Sequence, residues 1–312
     1  MEMFRFGTCE FCFPIWGRFA MEAAHEAGFH GIQITDGGGY LQPHPLNNGF
    51  VEYERFGLDL RRKDSYPLLD KWVQEDYLAA AQASDMEITG IYLYLLNHQG
   101  FVKFSDLTPQ GEQCRETIHN AVKAAAQMGI PSVTVPAFGM FGVGQHTYAL
   151  KKLEYAVEVG EEYGVQIYIS TDMSADRQKE VVEHLHGRAK LDFCTIDPIF
   201  SNSGAAPKMI QSLGGNYIGR YRLRDALADR EGVVTREESG PALLGQGDGC
   251  VQACSASILQ TGYRGWIFSE TPYYSQRLRR NGEDCVCLAR QDRTALENMF
   301  GGKERGEQRG EI

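Results

Sequence analysis

One phrase recurs along the chain and limits what it can fold into: an amphipathic helical stretch, a glycine or other turn residue, then a short run rich in β-branched and aromatic residues. It reads MEAAHEAGFHGIQIT, LAAAQASDMEITGIYLYL, AVKAAAQMGIPSVTVP, YAVEVGEEYGVQIYIS, VEHLHGRAKLDFCTID, IQSLGGNYIGRYRL and SASILQTGYRGWIFSE. Glycine at a helix end takes the left-handed cap that turns the chain sharply back. The runs that follow suit strands buried on both faces of a parallel sheet. With FRFGTCEF at the start there are eight such strands. Strands alternating with helices at this spacing form right-handed βα units, and eight of them in 312 residues point to the α/β class and a closed (β/α)8 TIM barrel. An open doubly wound sheet would carry a GxGxxG turn after its first strand, where this chain has TCEFCFPIWG. No linker divides the chain, so residues 1–300 read as one barrel.

Two stretches break the cadence. Residues 36–66, DGGGYLQPHPLNNGFVEYERFGLDLRRKDSY, form a long polar, Gly-rich loop after the second strand, a candidate lid on the rim of the active-site face. Residues 301–312, GGKERGEQRGEI, are charged and without periodicity, which predicts a disordered tail.

Charge narrows the partners. A formal net charge of −10 argues against a nucleic-acid backbone or an anionic membrane, because both need a basic face. No apolar run approaches the roughly 18 to 20 residues of a membrane span, and the start lacks a signal peptide's charged and apolar regions. A cytoplasmic protein with a small ligand is expected. The eight cysteines include a CxxC at Cys9 and Cys12, but no second pair follows at zinc-ribbon spacing. They read as reduced packing residues.

In a barrel the active-site mouth is lined by the C-terminal ends of the strands. Those positions hold Thr35 and Asp36 after the second strand, Asn97 and His98 at the end of the third, Val135 and Pro136 after the fourth, with His146 opening the next helical stretch. The fifth ends in Ser170, Thr171 and Asp172, the sixth in Asp197, and the eighth in Glu270. The seventh, IGRYRLRDA, is unusual. Strands repeat every two residues, so Arg220 and Arg222 share one face while Tyr221 and Leu223 share the other. The two guanidiniums suit structural salt bridges in the mouth or the bidentate grip of an anionic substrate group; a slipped register would leave them in solvent. Arg224, at the strand end, is expected to meet solvent, and Asp225 to pair with its arginine neighbours.

Three local phrases resemble the xylose isomerase-like barrels, the sugar phosphate isomerases and epimerases. LDFCTIDPIF is similar to the family's sixth-strand phrase, RYRLRDA to its HxHxKD strand, and LGQGDGCVQACSASILQTGYRGWIFSE to its GxGxxD and GYxGWxxxE ending. The resemblance implies a divalent metal, Mn or Mg, held by Glu, Asp, His and Glu from the fifth to eighth strands, with proton transfer through an enediolate. Asp197 and Glu270 match two of those positions. Ser170 stands in place of the ligating Glu, Arg222 in place of the His, Arg220 in place of the first His of its phrase, and Phe200 where a His commonly follows the sixth-strand Asp. Arginine keeps its proton and has no lone pair to offer a metal. With two of four ligands unmatched, no cofactor is expected, and the arginines are read as supplying the positive charge of the missing ion.

Two functions follow. The first is an isomerase, epimerase or related lyase acting on a sugar, keto-sugar or polyol: His98 removes the proton beside a carbonyl, Arg220 and Arg222 stabilise the enolate, Asp197 and Glu270 orient hydroxyls, and Ser170 and His146 line the substrate. The second is a non-catalytic sugar-binding or regulatory subunit that has lost the metal site, partnering a catalytic chain. Homo-oligomers are common in the family resembled.

Overall fold

The computed structural model describes residues 4–15, 17–36, 66–140, 142–196, 205–228 and 240–301, with the backbone alone for Asn97 and His98. The candidate lid from Gly37 to Ser65, the tail from Gly302, and Trp16, Tyr40, Phe141, Asp197 and Phe200 lie outside the described residues.

The chain runs through β1 (Arg5–Cys9), a one-turn 3-10 helix at Glu10–Cys12, α1 (Arg18–Glu26), β2 (Gly31–Thr35), α2 (Lys71–Ala83) and β3 (Glu87–Tyr92). It continues with α3 (Tyr94–Gln99), α4 (Pro109–Met128), β4 (Ser132–Pro136), α5 (Val143–Tyr163), β5 (Gln166–Ser170), α6 (Ala175–His184) and β6 (Ala189–Cys194). Then follow α7 (Ala205–Tyr217), β7 (Ile218–Leu223), a small antiparallel ribbon of β8 (Asp225–Ala226) and β9 (Pro241–Ala242), α8 (Val251–Gln260), β10 (Trp266–Ser269) and α9 (Cys285–Phe300). Eight parallel strands close into a barrel in the order β1, β10, β7, β6, β5, β4, β3, β2. The expected (β/α)8 architecture is therefore the observed one.

The helix ends explain the cadence. Gly129 and Gly164 follow α4 and α5 with φ of 68° and 70°, so each makes the left-handed turn that L side chains resist and returns the chain to the barrel. At the other end of α4, Pro109 occupies the first turn and the Thr108 hydroxyl accepts from the Gly111 amide at 3.1 Å.

Outward residues such as Val133, Val135, Ile167, Ile169, Leu191, Tyr221 and Ile267 join the helix residues Ile118, Ala121, Val122 and Ala125 in one buried apolar layer around the barrel. Much of the fold's apolar burial lies there, while the inner lumen mixes polar and charged side chains with aromatic rings.

One strand is shorter than the sequence implies. The third ends at Tyr92, and Asn97 and His98 belong to α3, a helix over Tyr94–Gln99 closed by Gly100 at φ 74°. The buried Asp36 carboxylate decides this, because it accepts the Leu95 amide at 3.2 Å and so satisfies a first-turn N–H that a strand would have aimed elsewhere.

Candidate active site: a guanidinium in the barrel lumen

β7 presents Arg220 and Arg222 to the lumen, 5% and 0% exposed, while Tyr221 and Leu223 are buried in the outer apolar layer. Arg222 is engaged on all sides. Its Nε donates to Asp192 Oδ1 at 2.9 Å, Nη1 donates to Glu270 Oε2, and Nη2 donates to the Ser170 hydroxyl. The Tyr92 ring lies 5.2 Å from the guanidinium carbon, the distance of a cation–π contact.

The acid beneath Arg222 is Asp192, a residue the strand-end reading passes over. Its second oxygen accepts from the Thr134 hydroxyl at 2.9 Å and the Gln33 amide at 3.3 Å, so β2, β4, β6 and β7 are tied across the lumen. The signal was available: Asp192 is the one acid in β6, set between Leu191 and Phe193. Asp197, the acid read as the sixth-strand mouth residue, lies outside the described residues.

Arg220 lies deeper. It precedes Arg222 by two residues, which in a strand is roughly 6.6 Å further from the mouth. Its Nη2 donates to the Ser132 hydroxyl, and the guanidinium is set against the rings of Tyr168 at 4.3 Å and Phe268 at 5.5 Å. Gly90 makes room for it: a Cβ there would stand 3.1 Å from Arg220 Nη1 and 2.5 Å from the Ser132 hydroxyl oxygen.

Above Arg222, Arg224 reaches solvent as expected but also meets an acid. Its side chain is only 17% exposed and Nη1 stands 3.5 Å from Glu270 Oε1. The two-residue repeat continues past Leu223 and aims Arg224 along the same face as Arg222. Glu270 follows β10 directly, and its amide donates to Leu223 O at 2.8 Å, so the barrel ladder itself fixes where its carboxylate starts.

The expectation for Asp225 is corrected. Its carboxylate accepts backbone N–H groups from Ala226, Gly245, Gly247 and Gly249 at 2.9 to 3.0 Å. Gly247 and Gly249 permit this approach, since a Cβ on either would come within 2.4 and 2.8 Å of Asp225 Oδ1. The LGQGDG phrase therefore wraps an acid. Glu10 works similarly, accepting from the amides of Gly17 and Thr35 and the hydroxyls of Thr35 and Tyr77, which pins the 3-10 turn to β2 and α2.

The remaining candidates separate. Ser170 is brought to Arg222. His146, on α5, has its pKa lowered first by burial and then by the charge of Arg177. His98 is placed on α3 by its backbone. Cys9 and Cys12 are free and buried beside the cluster, and burial pushes the Cys9 thiol well up.

A divalent metal does not fit this donor set. The guanidinium of Arg222 occupies oxygens of Asp192 and Glu270 that an ion would need, and Ser170 brings a neutral hydroxyl in place of a carboxylate. Among the described residues, no group of three or more His, Cys, Asp or Glu is arranged to hold an ion. A dication beside Arg222 would face a fixed like charge.

Known proteins share this fold. A family model described as the xylose isomerase-like TIM barrel matches residues 21–291. Among solved structures, the chain is similar to D-allulose 3-epimerase from Methylomonas sp., with 13% identity, TM-score 0.65, and 96% and 99% of the two chains covered. It is similar to the IOLI protein with a binding zinc atom, with 13% identity, TM-score 0.66, and 96% and 98% covered. It also resembles 3-keto-D-glucoside 4-epimerase from E. coli, with 14% identity, TM-score 0.59, and 95% and 99% covered. At these identities the likeness is one of fold. No individually curated protein shows significant similarity to the sequence.

Proposed function

Because the chain belongs to the xylose isomerase-like TIM barrel family, we propose that it is a carbohydrate isomerase or epimerase in which Arg222 takes the electrostatic part that a metal plays in relatives. The observation carrying this reading is the Arg222 guanidinium held against Ser170, Asp192 and Glu270 inside the barrel. Solved structures of similar fold include sugar epimerases, which supports a sugar or keto-sugar as substrate.

In the reaction, a base removes the proton from the carbon beside a carbonyl, and the electron pair moves onto the carbonyl oxygen as an enolate. The proton then returns to the other face of that carbon, or to its neighbour, and the carbonyl re-forms. No electron acceptor is needed. The enolate's negative charge is what a preorganised guanidinium stabilises, and its fixed geometry avoids reorganisation as the charge develops. His98 is the base in this reading, and Glu270 and Asp197 orient hydroxyls. Arg220, packed deeper against Tyr168 and Phe268, adds a second positive charge to the stabilisation of the enolate. A cytoplasmic setting, which keeps thiols reduced, suits eight unpaired cysteines.

The test is solvent deuterium uptake. The full chain, incubated in D2O with a panel of keto-sugars, is expected to place deuterium on the carbon beside the carbonyl, and Arg222→Lys to slow that uptake at least about a hundredfold. Metal added at stoichiometric level should leave the rate unchanged. Metal-dependent uptake would refute the arginine role.

A second reading has its own observation. Arg222 spends donors on three protein partners, the arrangement of a sealed structural bridge in a binding or regulatory subunit. Sugar binding without any deuterium uptake would select it.

A further inference from the structure

The three lumen arginines differ in what they have left to give. Arg222 is fully buried and donates to Asp192, Glu270 and Ser170. Arg220 is 5% exposed, sits below it, and is packed between aromatic rings. Arg224 is the outermost and reaches solvent, at 17% exposure, directly over a Glu270 that is 1% exposed.

Its hydrogen bonding is incomplete. Nη1 stands at 3.5 Å from Glu270 Oε1, the edge of bonding range, and the other oxygen of that carboxylate already accepts from Arg222. Nε is buried and has no hydrogen-bond partner among the described residues. Yet the residue is not loose. The Thr195 hydroxyl accepts from the Arg224 amide at 3.0 Å and donates to the Arg224 carbonyl at 2.9 Å, so the backbone is clamped to the end of β6. A guanidinium fixed at its base, with Nε unpaired and its side chain partly open to solvent, suits a planar or tetrahedral anion.

Charge sets what an anionic ligand would require. With a formal net charge of −10, the field of the protein as a whole repels an anion. A negatively charged substrate therefore needs a local, fixed cation at the entrance, and Arg222 is already compensated by Asp192 and Glu270.

We propose that Arg224 is the specificity residue of this site, and that it selects sugars carrying an anionic group, a carboxylate or a phosphate, over neutral ones. This rests on the carbohydrate reading above and narrows it.

The experiment is calorimetric titration of the full chain with D-glucuronate, D-fructose 6-phosphate, and their neutral counterparts D-glucose and D-fructose, each followed by deuterium uptake in D2O. At least one acidic sugar is expected to bind about tenfold or more tighter than its neutral counterpart, with that preference falling as salt is raised. Arg224→Ala should erase the preference and leave neutral-sugar binding in place; Arg224→Lys should restore part of it, because the charge remains but the planar fork is lost. Preference for D-glucuronate identifies a carboxylate ligand, and preference for D-fructose 6-phosphate a phosphate one. Equal binding of acidic and neutral sugars, or a preference that survives Arg224→Ala in a folded variant, overturns the proposal while leaving the carbohydrate reading intact. Neither binding nor deuterium uptake with any of the four overturns both.

Discussion

Glu270 divides its carboxylate between an arginine of β7 and one just past its end: Oε2 accepts from Arg222, and Oε1 faces Arg224 at 3.5 Å. The pair with Arg222 is buried at 0% and 1% exposure, so neither charge has water to fall back on. Burying two ions is costly, and the return comes only while both are present. Glu270→Ala is therefore expected to destabilise the protein by about 3–5 kcal/mol, read by urea denaturation, because it leaves Arg222 with less compensation in the lumen. A loss below about 1 kcal/mol would mean that the bridge is open to solvent.

The buried carboxyl of Asp292 gives a pH dependence. It sits on α9, accepts from the Leu244 amide and the Ser269 hydroxyl at 2.8 Å each, and burial raises its pKa to about 6. An unfolded Asp titrates near 3.9, so between about pH 4 and 6 the folded state holds more protons than the unfolded one. The stabilisation is complete below about pH 4 and is lost as pH rises through about 6. Wild type minus Asp292→Asn, in unfolding free energy, should fall by roughly 2–3 kcal/mol from pH 4 to pH 7. A flat difference would place the carboxyl pKa near its ordinary value.

The glycine loop around Asp225 is expected to be intolerant of change. Gly247→Ala would put a methyl 2.4 Å from Asp225 Oδ1 and should cost about 1–3 kcal/mol. Asp225→Ala strands the amides of Gly245, Gly247 and Gly249, and a loss of at least about 3 kcal/mol is expected. Hydrogen exchange at those three amides should accelerate more than at the β7 core, which separates a local opening from general weakening.

Thiol labelling should follow burial. Cys287 is exposed, whereas Cys9, Cys12, Cys114, Cys194 and Cys254 are buried, with burial pushing Cys114 up to about 11 and Cys254 up to about 12. At pH 8 a thiol reagent should modify Cys287 within minutes and reach the five buried thiols only on the timescale of unfolding. Early labelling of Cys9 or Cys12 would indicate that the lumen opens in the native state.

The third strand illustrates how far local reading reaches. YLYLLNH carries the residue types of a strand, yet the strand ends at Tyr92, and the carboxylate of Asp36, just past β2, caps the Leu95 amide. That acceptor comes from 59 positions away in the chain, and no propensity of the segment itself contains it. The GQGDG loop is the opposite case. Its glycines are conspicuous in the sequence, but their reason, the approach of Asp225, appears only when the loop is folded over the end of β7.

The sequence alone determined the barrel, because each βα unit is written in local terms: a 3.6-residue apolar stripe, a glycine that must turn left-handed, and a β-rich run, repeated until the sheet has to close. It also determined that Arg220 and Arg222 share a face, since that follows from the two-residue repeat of a single strand. Which acid meets which arginine was decided by tertiary structure. Between β6 and β7 the register shifts by one residue after Leu191, so that Asp192 comes opposite Arg220 and its carboxylate reaches Arg222. A slip of one residue in a strand exchanges its faces, so this single irregularity sets the charge pairing of the lumen. Pairing between strands depends on closure of the whole sheet, and no stretch of the chain encodes it by itself.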